Sequence, residues 1–283
     1  MATENISRKK ARPFVKMQGQ ENDFVVFDCT KTMFASPAPI ARKVLNRNSG
    51  VGGDQMILLI KSRKADFGMR TFNQDGSEAE MCGNGLRCLA RFIKDNNFSS
   101  KKELTIETVA GIRKVRFVGA HSIEADMGEP KMKGKEIPVN LSGRVINRPV
   151  RIESKEFRIT CLSMGNPHCV IFQEQLDDFP LQKFGPLLET YSIFPKKANV
   201  SFVNIFSKGD LHMRVWERGV GETRSCGTAA CAATVAAVLN GFSERKTTVK
   251  QPGGKLIVDW NRKDNHVYLR GPVETVFCGE ICL

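Results

Sequence analysis

Residues 80–88 read EMCGNGLRC and residues 224–231 read RSCGTAAC. Each sets a cysteine directly before a glycine and then opens into a helix-like run, GLRCLARFIKDNN (85–97) in the first and AACAATVAAVLNGF (229–242) in the second. Cys82 and Cys226 lie 144 residues apart, about half of the 283-residue chain. Like segments at such a spacing point to an internal repeat, and the same offset finds further matches. MRTFN (69–73) falls on MRVWE (213–217), Glu78 on Glu222, Asn22 of ENDFVV on Asn166 of GNPHCV, and Gln55 of GGDQMILL on Asn199 of ANVSFV. With one residue of slippage TIETVAGIRKVRF (105–117) falls on TVKQPGGKLIVDW (248–260), and Gly128 on Gly271. The chain reads as two related halves that divide within 130–150.

Both halves carry alternating or β-branched runs bounded by Gly, Pro, Asn and Asp, among them DFVVFD, GMRTFN, LTIETV, HCVIF and VSFVNIF, and these predict strands. The run after Cys226 is almost wholly small and apolar, and a helix apolar all round belongs inside something. The expected fold is α+β: two pseudo-symmetric lobes, each a curled, mainly antiparallel sheet or barrel around a central helix. Cys82 and Cys226 then sit at the helix N-termini and face the cleft between lobes. The boundaries drawn are a disordered leader over 1–13, an N-terminal lobe over 14–140 and a C-terminal lobe over 141–283.

Composition narrows the classes. With 41% hydrophobic and 26% charged residues the chain is of globular type, and no apolar run approaches the roughly 18 residues of a membrane span. The start, MATENISRKKARPF, has charge but no apolar segment of a secretory signal. Nine cysteines without a CxxC, in a chain of this size, read as thiols of a reducing compartment. Four histidines (His121, His168, His212, His266) lie among them without ligand spacing, so no metal is expected. The net charge of +13 is spread over short clusters, SRKKAR, KSRK and KMKGK, and only two Trp and two Tyr are present as stacking platforms. That pattern fits a basic solvated surface better than a nucleic-acid interface.

A cysteine at a helix N-terminus has its thiolate stabilised by free backbone N–H groups and the helix dipole, which lowers its pKa. The Gly-Asn and Gly-Thr that follow Cys82 and Cys226 leave those N–H groups open to an anion such as a carboxylate. Two such units facing one cleft would hold a substrate carboxylate between them, with the α-carbon between two sulfurs. One thiolate then takes a proton from one face while the opposite thiol delivers one to the other, inverting the centre by general acid–base catalysis. The helix ends stabilise the charge that develops on the carboxylate, and no cofactor is required. Cys29, Cys88, Cys161, Cys169, Cys231, Cys278 and Cys282 are read as core or incidental. A redox or metal role for Cys82 and Cys226 ranks below acid–base work, because both recur in the same glycine-flanked setting.

From about residue 14 to the C-terminus the chain resembles the diaminopimelate epimerase family, cofactor-independent enzymes of the two-cysteine racemase fold. The resemblance rests on KMQGQENDFVVFD, NRNSGVGGDQ, FNQDGSEAEMCGNGLRC, MGNPHCV, ANVSFV and ERGVGETRSCGTAAC, in that order. It implies interconversion of LL- and meso-2,6-diaminoheptanedioate, in lysine and peptidoglycan-precursor synthesis. It implies Cys82 and Cys226 as the acid–base pair, and the N–H groups of Gly83, Asn84, Gly227 and Thr228 as the carboxylate cradle. Asn22, Gln55, Asn73, Asn166, Asn199, Glu217 and Arg218 match positions that bind the substrate. Arg218 suits the distal carboxylate and Glu217 the ammonium. His168 and Glu217 also match positions that tune the cysteines, although a His in such a setting is as readily a hydrogen-bonded structural residue. The family analogy further implies a homodimer, no nucleic-acid or membrane partner, and a cytoplasmic place, or the plastid stroma in a plant.

One departure stands out. The family usually has GLGNDF where this chain has Gly19-Gln20-Glu21-Asn22-Asp23-Phe24, so Glu21 replaces a glycine. If that position needs positive φ, Glu21 strains the turn and unsettles Asn22. Within the same fold, proline racemases and hydroxyproline epimerases carry His where this chain has Asn84, and DRSPC where it has GETRSC; those matches are absent here.

Overall fold

The computed structural model describes residues 11–119 and 122–283, which leaves His121 and residues 1–10 of the expected leader outside the described residues. The first half runs through β1 (Ala11–Gly19), β2 (Asn22–Asp28), α1 (Pro37–Leu45), β3 (Gln55–Ile60) and β4 (Phe67–Asn73). It continues with β5 (Glu78–Ala79), α2 (Gly83–Asp95), β6 (Glu103–Thr108), β7 (Gly111–Phe117) and β8 (Ser122–Asp126). After β9 (Val145–Ile152) the second half repeats the order: β10 (Lys155–Ser163), β11 (Pro167–Phe172), α3 (Leu181–Glu189), β12 (Asn199–Ser207) and β13 (Asp210–Glu217). It ends with β14 (Gly221–Thr223), α4 (Gly227–Leu239), β15 (Lys246–Gln251), β16 (Gly254–Trp260), β17 (Val267–Pro272) and β18 (Glu274–Cys282).

The 144-residue offset holds at the first residues of β1 and β10 (11 and 155), α1 and α3 (37 and 181), and α2 and α4 (83 and 227). Repeated residues make repeated bonds. Arg70 Nε donates to Glu78 at 2.7 Å and Arg214 Nε to Glu222 at 2.9 Å, each pinning the short strand that precedes a central helix. Four strand pairs are parallel, β2–β3, β4–β6, β11–β12 and β13–β15. Each is bridged by one of the four helices, the crossover that a parallel pair requires.

Each half curls around its second helix. α2 touches β1, β2, β3, β4, β7 and β8, and α4 touches β10 to β13 and β15 to β17. α4 is buried continuously from Gly227 to Ala237, as expected of a helix with no polar face, and its alanines let the sheet close tightly on it. Both central helices contribute to a single core, while α1 and α3 each cover a smaller apolar cluster outside the curl.

The halves meet where β8 pairs antiparallel with β17, Asp126 opposite Tyr268. Two sequence-drawn boundaries shift. Ala11, Arg12 and Pro13, assigned to the leader, belong to β1 and pair with Cys282, Ile281 and Glu280. β18, assigned to the C-terminal lobe, is therefore the edge of the first half's sheet, and β9, which follows the first half, pairs with β10 of the second. The second half thus lends its last strand to the first, so no cut near 140 separates two independent sheets.

Candidate active site

Cys82 and Cys226 are the N-cap residues of α2 and α4, with nearly identical extended backbones (φ −138°, ψ 110° and φ −135°, ψ 116°). An N-cap leaves the first-turn N–H groups without partners inside the helix. The Gly85 N–H donates to Cys82 Sγ at 3.3 Å, a charge-stabilising contact for a thiolate. The glycines after both cysteines are needed for packing. A Cβ on Gly83 would stand 3.0 Å from Leu269 Cδ2, and one on Gly227 would stand 2.9 Å from the same atom and 3.6 Å from Gly83 Cα. The two helix ends abut over one leucine of β17.

Around this pair the repeat is visible in the side chains. Asn84 Nδ2 donates to Asn22 Oδ1 at 3.2 Å, and in the other half Asn166 Nδ2 donates to Thr228 Oγ1 at 3.4 Å. Cys82 Sγ lies 3.8 Å from Asn22 Oδ1, and Cys226 Sγ 3.5 Å from Thr228 Oγ1. Gln55 Nε2 donates to Asn73 Oδ1 at 2.8 Å across the β3–β4 ladder. Glu217 accepts from the Thr223 hydroxyl at 2.6 Å.

A cavity of about 520 Å³ opens between the lobes. Asn22, Gln55, Asn73, Cys82, Gly83, Asn84, Asn166, Glu217, Arg218, Cys226, Gly227 and Thr228 all line it. Asn199 and His168 do not. Asn199 is buried and accepts the Arg218 N–H on Oδ1 at 3.0 Å while donating to the Pro167 carbonyl, so it fixes the backbone that carries Arg218. His168 is fully buried and its Nε2 meets Asn166 Oδ1 at 2.9 Å; it bears on the site through Asn166.

The wall also includes residues that sequence reading missed: Asp54, Gln74, Asp75, Ser77, Met81, Gly219, Val220, Thr223 and Ser225. Several sit in turns, where no periodicity marks them. Asp54 was findable, because it adjoins Gln55 in a quoted motif; its carboxylate accepts from Asn22 Nδ2 at 2.8 Å and so orients that amide. Glu189, outside the cavity, accepts from Trp216 Nε1 at 2.8 Å and from the Gly219 N–H at 3.0 Å, holding the turn beyond Arg218. Gln55 Oε1 and Ser225 Oγ are buried without a partner among the described residues. Such orphaned acceptors and donors at a cavity wall call for a polar ligand.

The concern over Glu21 resolves in an unexpected way. Gln20 and Glu21 form a two-residue hairpin loop, both at φ 60°, the hand that suits the twist of paired strands. Such a φ disfavours both side chains, and contacts across the cleft oppose that cost. Glu21 pairs with Arg224, and the mostly buried Gln20 packs on Gly253 and Gly254 of the β15–β16 turn. Asn22 keeps its place in the wall.

The expectation of a lowered thiol pKa is not met. Burial pushes Cys82 up to about 12; the Gly85 N–H and the Arg87 charge oppose the shift, the Glu217 charge adds to it, and burial wins. Burial also raises Cys226 well above the thiol range, with the Glu217 charge adding and the Thr228 hydroxyl opposing. Glu217 is itself raised by burial, against its bonds to Thr223 and Cys226. Burial, with the Arg218 charge, pushes His168 down to about 3, so this imidazole is neutral at pH 7. The helix-end stabilisation that the sequence promised is present but outweighed by desolvation. A thiolate there needs a further positive charge, such as a substrate ammonium.

The two-lobed sheet with a thiol at each central helix end defines the class. The fold is that of a Bacillus anthracis protein of the phenazine biosynthesis PhzF family (19% identical, covering 97% of this chain and all of that one, TM-score 0.71). It is also that of an Agrobacterium vitis hydroxyproline epimerase solved with trans-4-hydroxy-L-proline (14% identical, covering 96% and 91%, TM-score 0.67). Within this class the particular family is clear. The sequence profile of the family described as Diaminopimelate epimerase matches residues 14–133 and 160–276, and the chain belongs to that family. It is 47% identical to the diaminopimelate epimerase of Acetivibrio thermocellus over 95% of this chain and 98% of that one. It is 46% identical to that of Methanococcus maripaludis over 95% and 99%.

Proposed function

We propose that Cys82 and Cys226 are the acid–base pair through which this member of the diaminopimelate epimerase family interconverts LL- and meso-2,6-diaminoheptanedioate. The observation that carries the reading is that two thiols, each on the N-cap residue of a helix, line one cavity whose walls pair polar side chains at corresponding positions in both halves, Asn22 with Asn84 and Asn166 with Thr228. The substrate's α-carboxylate sits on the N–H groups of Gly83, Asn84, Gly227 and Thr228, where two helix ends meet. Its α-ammonium supplies the positive charge that lets one thiol ionise. That thiolate removes the α-proton, and the opposite thiol returns a proton to the other face, so atoms and charge balance with no cofactor. In the reverse direction the sulfurs exchange roles.

The distal amino-acid group is read by Asn22, Gln55, Asn73, Asn166, Glu217 and Arg218. Arg218 pairs with the carboxylate and Glu217 accepts from the ammonium. Asn199 and His168 serve this set as supports, through Arg218 and Asn166. The partner is this small molecule, with no nucleic acid and no membrane lipid, and the place of work is the cytoplasm. Among the described residues no helix is long and apolar enough to cross a membrane. A homodimer fits the edge strand β18, which among the described residues pairs with β1 alone and exposes Val276 and Phe277 at 55% and 47%; sedimentation tests it.

Proton NMR of LL-2,6-diaminoheptanedioate with reduced protein in D2O tests the activity. Loss of the α-proton signal with appearance of the meso form is expected. Reduced, folded protein that leaves that signal intact would overturn the reading, and proline would be tried next. Activity requires reductant, because two sulfurs that face one carbon can join in the empty site; full activity of a Cys82–Cys226 disulfide would refute the pair.

A further inference from the structure

Arg87 is the largest side chain without exposed surface among the described residues. It lies on α2, one turn beyond Cys82, and no carboxylate lies within ion-pair distance of it among those residues. Nη1 donates to the Gly83 carbonyl at 3.2 Å, Nη2 donates to Asn84 Oδ1 at 2.9 Å, and Nε has no partner. Burial lowers its pKa, and Cys88, Cys82 and Cys231 lie close enough for their charge to oppose that shift. A guanidinium does not lose its proton in a protein, so a bare positive charge is buried beneath the start of α2.

The repeat shows that the fold does not demand it. The residue 144 positions on is Cys231, equally buried in the same place on α4. A small thiol fills that position in one half, and an unpaired buried charge is costly. What the arginine does there is specific to the site. By binding Asn84 Oδ1 it fixes that amide with its N–H toward Asn22, the contact that frames Cys82.

We propose that Arg87 is a positioning residue for the first thiol: it locks the Asn84 amide and sets a permanent positive charge under the helix end where a Cys82 thiolate and the substrate carboxylate are held. The inference rests on the acid–base reading of Cys82. The groups that face the same thiol are Glu217 from β13, whose charge opposes a thiolate, and the thiol of Cys88, raised by burial; the thiol of Cys231, also raised by burial, faces Arg87. Arg87 is the cation among them. It makes the two thiols inequivalent, since Cys226 has no such residue in its own half.

The test compares Arg87→Met, which removes the charge, with Arg87→Lys, which keeps it without the fork. The first readout is the pH dependence of Cys82 alkylation by iodoacetamide, followed by peptide mass analysis; it needs no substrate and stands even if diaminoheptanedioate is not turned over. At a fixed pH the rate of Cys82 alkylation is expected to fall about tenfold in Arg87→Met and to stay near wild type in Arg87→Lys. The second readout is turnover of LL-2,6-diaminoheptanedioate: kcat falls about 30-fold in Arg87→Met with KM moved less, and Arg87→Lys recovers part of the loss. A folded Arg87→Met protein with unchanged alkylation profile and kcat within twofold of wild type overturns the proposal. Should Arg87→Met not fold, Arg87→Gln keeps an amide donor toward Asn84 without the charge, and an unshifted thiol pKa there overturns it equally.

Discussion

Gly227→Ala is the sharpest probe of how the two helix ends are seated. The added Cβ would lie 2.9 Å from Leu269 Cδ2, whereas carbon atoms rest about 3.5–4.0 Å apart. Something must therefore yield by about 0.8 Å. The other near atoms are Asn84 Oδ1 at 3.4 Å and Gly83 Cα at 3.6 Å, so the start of α4 has little freedom to retreat across the cleft. Overpacking of this kind costs about 1–3 kcal/mol, which for a chain of this size lowers Tm by roughly 3–10 °C. A shift of that size at the carboxylate cradle lowers kcat/KM by about 100-fold.

The assay is α-proton exchange in D2O beside a thermal melt, and a second substitution tells strain from simple damage. Leu269→Val withdraws the obstructing methyl at a cost of about 1 kcal/mol on its own. If the contact is the cause, the double variant is more stable and more active than the sum of the singles predicts, by a coupling of about 1 kcal/mol or more. A Gly227→Ala protein with wild-type Tm and exchange rate, or strictly additive singles, would refute the reasoning. Gly83→Ala is the milder case, since its second neighbour is the flexible Met127 Cε at 3.1 Å.

Three further outcomes follow from the same geometry. Glu189→Ala removes the acceptor of the Trp216 and Gly219 N–H groups; KM for the substrate rises about tenfold with a smaller change in kcat, as steady-state kinetics will show, because Arg218 loses its fixed turn. Burial acts to raise Asp23, but bonds from Arg47 and Lys16 hold it down at about 2 from an ordinary 3.8. Its folded pKa is depressed, so the stabilisation of about 2 kcal/mol is present above pH 4 and is lost as pH falls toward 2, visible as a falling urea midpoint that Asp23→Asn abolishes. Cys82 has the opposite sign: raised from 9.0 to about 12, it favours the fold below pH 9 and loses that contribution as pH rises toward 12, so alkylation without substrate is slow at pH 7 and accelerates through that window.

The parts of this fold that were legible in the sequence are those that local chemistry dictates. The 144-residue repeat shows itself because Arg70 and Arg214 must each find a glutamate eight residues on, and because Asn22 and Asn166 occupy like turns. The burial of α4 is legible because its composition leaves no polar face. The return of β18 to β1 is not, because strand pairing over 250 residues leaves no local mark: Arg12 meets Ile281 only once both are folded. The N-cap position of Cys82 and Cys226 is legible in their setting, yet their protonation is not, since sequence shows the helix end but not the desolvation that overrides it. Asn199 was placed among the substrate-binding residues and His168 among those that tune the cysteines, and the structure puts them one bond behind Arg218 and Asn166. Glu189 carries no motif signal at all, because its partners lie 27 and 30 residues away.

The return of β18 to the first half bears on catalysis as well as on topology. A two-thiol inversion demands that two rigid helix ends be held at a fixed separation about one carbon atom, while substrate still enters between them. If each half were self-contained, that separation would rest on the β8–β17 pairing and on exposed contacts such as Glu21–Arg224, and exposed ion pairs hold little. Here β1, which packs on α2, is zipped to β18 from the end of the second half. Motion of the α2 end is thereby resisted by a backbone ladder whose outer strand comes from the other half. Freedom for substrate to enter is then left to the cavity-wall turns outside this ladder, at 74–75 and 218–220, which carry no thiol.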